Sequence, residues 1–256
     1  MTNMEYTTKK IDKDTYYIND DDMCTTYVIV GENKALVIDC GYLNELSLID
    51  EVRKITNKEL IVALTHTHYD HIGHLNEFAS FYVAKDELDE IKDENLKKKA
   101  IILDDNHIFN LGNKNVIAKI YQGHTKASTI FFDIDNKNVF TGDQFGSGCG
   151  VWMQVKQASC LSTYIKEIDR FLNYLDSFDF TFNFYGGHLG QEYTSRIGKY
   201  NPLNKELVIN LKILSQKLLN NEIELQDSNA TMFNNEKSYY AVYETAEMII
   251  RKSLIK

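Results

Sequence analysis

Residues 63–74 read ALTHTHYDHIGH, and this segment constrains the fold more than any other part of the chain. Four of the seven histidines lie in it, directly after the apolar run ELIVALT. A short apolar run of that length reads as a buried strand. If the strand continues, His66 and His68, two apart, point to the same side. Asp70 and His71 follow at once on the turn. Imidazole and carboxylate ligands suit zinc, iron or manganese, and a catalytic site keeps one coordination position open for water. One segment is not enough to hold two metals, so further ligands are expected where other strand ends converge on the same rim.

Three later segments meet that expectation. YQGHTKAS places His124 in a loop between two predicted strands, FTGDQFGSG places Asp143 just past the strand VFT, and FYGGHLG places His188 just past TFNFY. Each loop contains glycine, which permits close backbone approach. Any one of them alone is weak; with the first cluster they form one constellation. His74 reads as helix surface or as support for a ligand, and His107 as structural or exposed.

The remaining pattern supplies the frame. TYYIN, TTYVIVG and KALVIDC read as a β-meander, residues 43–56 as an amphipathic helix and FYVA as a strand, with a short helix over 71–78 and a charged helix opened by Asp86. Strands follow at 115–121, 128–134 and 137–141, then a helix over 161–175, a helix over 204–220 and a last strand KSYYAVYE. Strands and helices in this order occur once in each half, which predicts an α/β fold of two sheets face to face with helices outside. With 256 residues, 43% of them hydrophobic, one large core accounts for a single domain over 1–256, residues 200–256 being a C-terminal helix and strand extension.

Formal charge is −9, and the longest basic run is Lys97–Lys99, so a nucleic-acid or acidic-membrane footprint is missing. The first residues lack the apolar core of a secretory signal, and no segment is long and apolar enough for a bilayer, which makes the cytoplasm the expected location. Cys24, Cys40, Cys149 and Cys160 form no CxxC pair and read as free thiols, Cys24 and Cys40 as small buried hydrophobes.

The motifs HxHxDH at 66–71, GHT at 123–125, TGD at 141–143 and GGH at 186–188, together with LVIDCG ending at Asp39, resemble the metallo-β-lactamase superfamily, in the branch similar to glyoxalase II. The resemblance spans about residues 36–190. It implies a four-layer αββα sandwich with a dinuclear site at one edge of the sheets. By the same resemblance, His66, His68 and His124 bind one metal, Asp70, His71 and His188 the other, and Asp143 bridges both. Asp39 supports a histidine ligand. The implied cofactors are two Zn2+, with iron or manganese as alternatives.

Such a site lowers the pKa of a shared water from about 15.7 to about 7, and the metal-bridging hydroxide is the implied nucleophile, with Asp70 helping to relay a proton. Family members usually carry proline where Gln122 and Gly186 stand, and broad β-lactam hydrolysers commonly carry cysteine in place of Asp143.

The implied activity is hydrolysis of a small ester-like substrate such as a thioester or lactone. A phosphodiesterase, for which Lys126 is the nearby cation, a di-iron redox site and a non-catalytic metal-binding sensor are the alternatives. A small-molecule substrate is the expected partner, with the chain a monomer or a homodimer. The stretch 146–160 holds the only tryptophan, Trp152, followed by Met153. It reads either as a substrate loop or as a core anchor.

Overall fold

Side chains alternate across a strand with period two, and here the alternation sorts residues into separate cores. In β3 (Thr25–Val30) and β4 (Lys34–Ile38), Tyr27, Ile29, Leu36 and Ile38 point to one core while Val28, Ala35 and Val37 point to another. In β10 (Ser128–Asp133) and β11 (Asn138–Gly142), Phe131 and Phe140 join the first of these, and Ile130, Phe132 and Val139 enter a third. The shared core is therefore the layer between two sheets, and the other two lie on their outer faces. The computed structural model describes residues 5–20, 24–147, 150–189, 203–228 and 236–256.

The first sheet runs β1 (Tyr6–Lys10), β2 (Thr15–Asp20), β3, β4, β5 (Glu59–Ala63), β6 (Phe81–Ala84) and β7 (Ala100–Leu103). Its first three pairings are antiparallel and its last three parallel. The second sheet has the order β13 (Asn183–Gly186), β11, β10, β9 (Asn115–Tyr121), β8 (His107–Asn110), antiparallel except for the parallel β11–β13 pair. Helix α1 (Leu48–Ile55) buries Leu48 and Val52 against the outside of the first sheet. Helices α4 (Leu161–Asp176) and α5 (Lys205–Leu219) cover the outside of the second. The α/β sandwich expected from the sequence is the fold observed.

Several elements depart from the sequence reading. Helix α1 starts at Leu48, because the Ser47 side chain accepts from Asp50 N and the Glu77 carboxylate accepts from Leu48 N and Ile49 N. Residues 71–78 contain only a single 3-10 turn at Leu75–Glu77. The backbone donors a longer helix would use are committed elsewhere: Gly73 N donates to Gly41 O and His74 N to Cys40 O. The charged segment after Asp86 forms two short helices, α2 (Lys85–Leu88) and α3 (Glu94–Lys97). A third sheet was not foreseen: β12 (Val151–Met153), β16 (Ala246–Arg251), β15 (Ser238–Tyr243) and β14 (Gln226–Asp227). Helix α5 and strands β15 and β16 share one continuous core with β9, β10, β11, β12 and α4, so these C-terminal elements pack against the second sheet and α4.

The two sheets are tied at one rim by a buried cation. Lys114 Nζ lies 2.9 Å from Asp14 at the start of β2 and 2.9 Å from Asp133 at the end of β10, with Asn136 donating to Asp12 and Asp133 beside it. The strand directions put this cluster on the opposite rim from the one that carries the histidines.

Candidate metal centre

Strand direction explains why distant segments meet. Strands β9, β11 and β13 all run the same way, because β9 and β11 are each antiparallel to β10 and β13 is parallel to β11. Their C-terminal loops, carrying His124, Asp143 and His188, therefore leave one rim. Strands β4 and β5 are parallel to each other, and their ends deliver Asp39 and the 66–71 segment. Thr129 N donates to Thr65 O across the sheets at 2.7 Å and holds the two rims together.

The structure brings all seven sequence-predicted ligands together. His68 Nδ1 lies 3.0 Å from both His66 Nε2 and His124 Nε2. These separations approach the roughly 3.3 Å edge of a tetrahedron with Zn–N bonds of about 2.0 Å. On the other side, His188 Nε2 is 3.4 Å from Asp70 Oδ2 and 3.2 Å from Asp143 Oδ2, and His71 Nε2 is 3.7 Å from Asp70 Oδ2 and 3.6 Å from Asp143 Oδ2. Asp143 Oδ2 is also 3.7 Å from His124 Nε2, so one carboxylate adjoins both groups.

The outer nitrogens show which lone pairs face inward. His124 Nδ1 is 2.8 Å from Trp152 O, which can only accept, so the proton is on Nδ1 and Nε2 presents its lone pair. His71 Nδ1 is 2.9 Å from Asp39 Oδ2, with the same consequence. Thr65 Oγ1 gives its one proton to Asp39 Oδ2 at 2.7 Å and accepts from His66 Nδ1 at 3.0 Å. Asp39 thus fixes His71 directly and His66 through Thr65, and Thr65 N donates to its other oxygen. Its φ of 62°, in the left-handed region that disfavours most side chains, is held by these bonds.

Electrostatics suit a cation. Burial lowers the pKa of His66 and His68 and pushes His124 down to about 3, which leaves all three neutral and able to ligate. Burial opposes the charge on Asp143, but His188 and His71 hold its pKa well below the carboxylate range. Burial likewise opposes charge on His71 and His188, yet Cys24 and the carboxylates of Asp143, Asp70 and Asp39 around His71, and Asp143 and Asp70 beside His188, raise their pKa. His71 Nε2 and Asp143 Oδ1 are buried without a hydrogen-bond partner. Unmet buried donors and acceptors are costly, and a metal ion satisfies both atoms, so the residues present fit one. Zinc binding needs His71 and His188 neutral while the neighbouring carboxylates favour their protonation, so it is expected to weaken as pH falls, measured by chelator competition.

Backbone approach is equally tight. A Cβ added at Gly187 would meet Asp143 Oδ1 at 2.4 Å and His71 Cε1 at 2.8 Å, so only glycine fits before His188. The first sheet clasps this loop: Thr25 N donates to Gly187 O, Tyr27 OH to Gly186 O and Leu189 N to Thr25 Oγ1.

Other positions resolve differently. Met153 is fully buried in the outer core, because β12 alternates and turns Met153 inward where Trp152 is 49% exposed; Met153 therefore does not face a substrate. His74 is buried, 2.7 Å from Glu77 Oε1 and 3.2 Å from the Tyr6 hydroxyl, away from the ligands. His107 packs against Phe109 and Tyr82. Lys126 is exposed. Cys24 and Cys40 are buried, Cys24 Sγ 3.3 Å from His71 Nδ1; Cys149 lies outside the described residues.

Sequence reasoning missed Glu87 and Gln144. The Glu87 carboxylate, 2% exposed, accepts from Thr67 N at 3.1 Å, Thr67 Oγ1 at 3.0 Å and Ala127 N at 3.3 Å. It therefore clamps the His66–His68 segment to the His124 loop. Gln144 accepts from His124 N and donates to Gln122 O. Nothing in KDEL distinguishes Glu87 from a solvated helix residue. Glu87→Ala is expected to weaken zinc binding about 10–100-fold, read by chelator competition, with the fold retained in circular dichroism.

Comparison with known proteins agrees with this geometry. A family model described as the metallo-beta-lactamase superfamily matches residues 19–170, more than half of the chain. A probable polyketide biosynthesis zinc-dependent hydrolase of Bacillus subtilis is 32% identical over 136 residues, covering 49% of this chain and 57% of that protein. A hydroxyacylglutathione hydrolase of Pelagibacter ubique is 28% identical over 213 residues, covering 77% and 80%. Among solved structures, a metallo-beta-lactamase from Pontibacter korlensis superposes with a TM-score of 0.61 at 13% identity, over 80% of this chain and 96% of the other. An archaeal superfamily protein from Sulfolobus tokodaii gives 0.56 at 18% identity, over 82% and 86%. The sandwich, the single loaded rim and the family match lead to one conclusion: this chain belongs to the metallo-beta-lactamase superfamily.

Proposed function

We propose that the chain is a dinuclear zinc hydrolase that cleaves a small ester-like acyl bond, a thioester or lactone. The observation that carries this reading is the gathering of seven metal-competent side chains in three overlapping groups, two of whose atoms, His71 Nε2 and Asp143 Oδ1, are buried without a hydrogen-bond partner. His66, His68 and His124 would hold one ion, Asp70, His71 and His188 the second, and Asp143 would touch both. When bound, the ions polarise the scissile carbonyl and make water a nucleophile at neutral pH. Asp39, Thr65, Glu87 and the Trp152 carbonyl keep the imidazoles in their ligating tautomers and orientations. Asp70, half-buried at the mouth, is placed to take the proton of the attacking water and pass it to the leaving group. The names of both curated relatives denote hydrolases, one of them zinc-dependent, which supports the reaction class.

Metal analysis of the purified protein, followed by assays of an acyl-glutathione thioester, an acyl-homoserine lactone, a β-lactam and a bis-aryl phosphate, tests the reading. Two zinc per chain, with thioester or lactone turnover abolished by chelator and restored by zinc, is the expected result. Turnover of the phosphate diester alone, or two iron with no hydrolysis, would overturn it.

A further inference from the structure

Exposed large apolar side chains are not scattered evenly over the molecule. Among the described residues there are eight, and four of them, Tyr42, Leu43, Tyr69 and Trp152, border the metal centre. Tyr69 stands between His68 and Asp70 in the ligand segment and is 68% exposed. Its ring meets Tyr42 edge-on, with centroids 5.5 Å apart. Leu43 follows, 66% exposed, its backbone pressed against Gly73. Trp152 offers its carbonyl to His124 while its indole is half-exposed.

These side chains sit on fixed backbone. Tyr42 N donates to Asp20 Oδ2 at 2.8 Å, the Tyr69 turn is closed by His71 N on His68 O, and Trp152 pairs with Ile249 in the third sheet. Clustered exposed apolar groups of this kind mark a contact surface. The charge pattern says which kind. The segments 40–43, 66–71, 143–147 and 186–189 contain no lysine or arginine, while Asp70 and Asp143 lie within them; the His124 loop carries one cation, the exposed Lys126. An anionic group would find no partner on these segments and two carboxylates nearby.

We propose that the group held beside the scissile bond is an uncharged apolar acyl chain, seated against Tyr42, Leu43, Tyr69 and Trp152. This rests on the hydrolase reading for its chemistry, but its test does not depend on turnover. Trp152 is the only tryptophan, so its fluorescence reports this surface alone. The zinc-loaded protein is titrated with the N-methyl amides of butanoic, hexanoic and octanoic acid, uncharged carbonyl compounds that resist hydrolysis.

The expected result is a blue shift of emission, with affinity rising about three- to fourfold per added methylene. Tyr69→Ser and Leu43→Ser, which alter exposed side chains and keep the reporter, are expected to flatten that dependence. Equal affinity across the three amides, no spectral change, or an undiminished dependence in both variants would overturn the proposal. If the amides bind as expected and no thioester or lactone is turned over, the hydrolase reading falls and the apolar site stands. Thioester turnover with no chain-length dependence has the reverse meaning.

Discussion

Asp143→Ala is expected to leave a folded protein that holds one zinc where the wild type holds two, with hydrolysis reduced by at least about 10³-fold. Asp143 Oδ2 lies 3.2 Å from His188 Nε2, 3.6 Å from His71 Nε2 and 3.7 Å from His124 Nε2, so this one carboxylate oxygen adjoins imidazoles of both ligand groups. Its removal takes one negative charge from a site that needs it to offset two cations. The remaining imidazoles can still gather one ion, because His66 and His124 are oriented by Thr65 and Trp152 O rather than by Asp143, and His68 lies 3.0 Å from both. Loss of a single group that stabilises developing charge costs about 10²–10³-fold, and here a metal is lost with it. Metal analysis of the variant beside its kinetics checks both halves; two zinc with wild-type turnover would remove Asp143 from the centre.

Lys114→Ala acts on the opposite rim and on stability. The Lys114 ammonium is 2% exposed and ion-paired with Asp14 and with Asp133, itself fully buried. Taking the cation away leaves two carboxylates close together with only Asn136 to donate to them, and breaking a buried pair from one side costs about 3–5 kcal/mol. The expected urea midpoint is correspondingly lower. Zinc affinity of the folded fraction is expected to stay unchanged, because no ligand contacts the cluster. A loss below about 1 kcal/mol would mean that water or a neighbouring side chain replaces the ammonium.

Much of the site was legible because its chemistry is written in short spacings. Two histidines two apart at a strand end, an aspartate and a histidine on the next turn, and three glycine-containing loops after strands are local patterns, and strand direction alone gathers them. The two facing sheets were legible for a similar reason, since Tyr27, Val28 and Ile29, or Ile130, Phe131 and Phe132, alternate visibly between cores.

What escaped was non-local. Glu87 matters through three bonds to residues 20 and 40 positions away, and nothing in its own neighbours marks that. The Trp152 contribution to His124 is a backbone carbonyl, which has no residue signature at all. Residues 71–78 have helical composition, but the amides of Gly73 and His74 bond to residues 41 and 40, a competition visible only in three dimensions. The third sheet was hidden because β12 has three residues and pairs with a strand nearly one hundred positions later.

That last pairing sets an order of events during synthesis. All seven ligands have left the ribosome once residue 188 has emerged, yet the carbonyl that orients His124 belongs to a strand held in place by residues 246–251. A nascent chain halted after residue 228 carries every metal-binding side chain and lacks the β-ladder that aims one of them. The side chains gathered at the rim are thus synthesised before the strand, β16, whose pairing with β12 positions the carbonyl that meets His124.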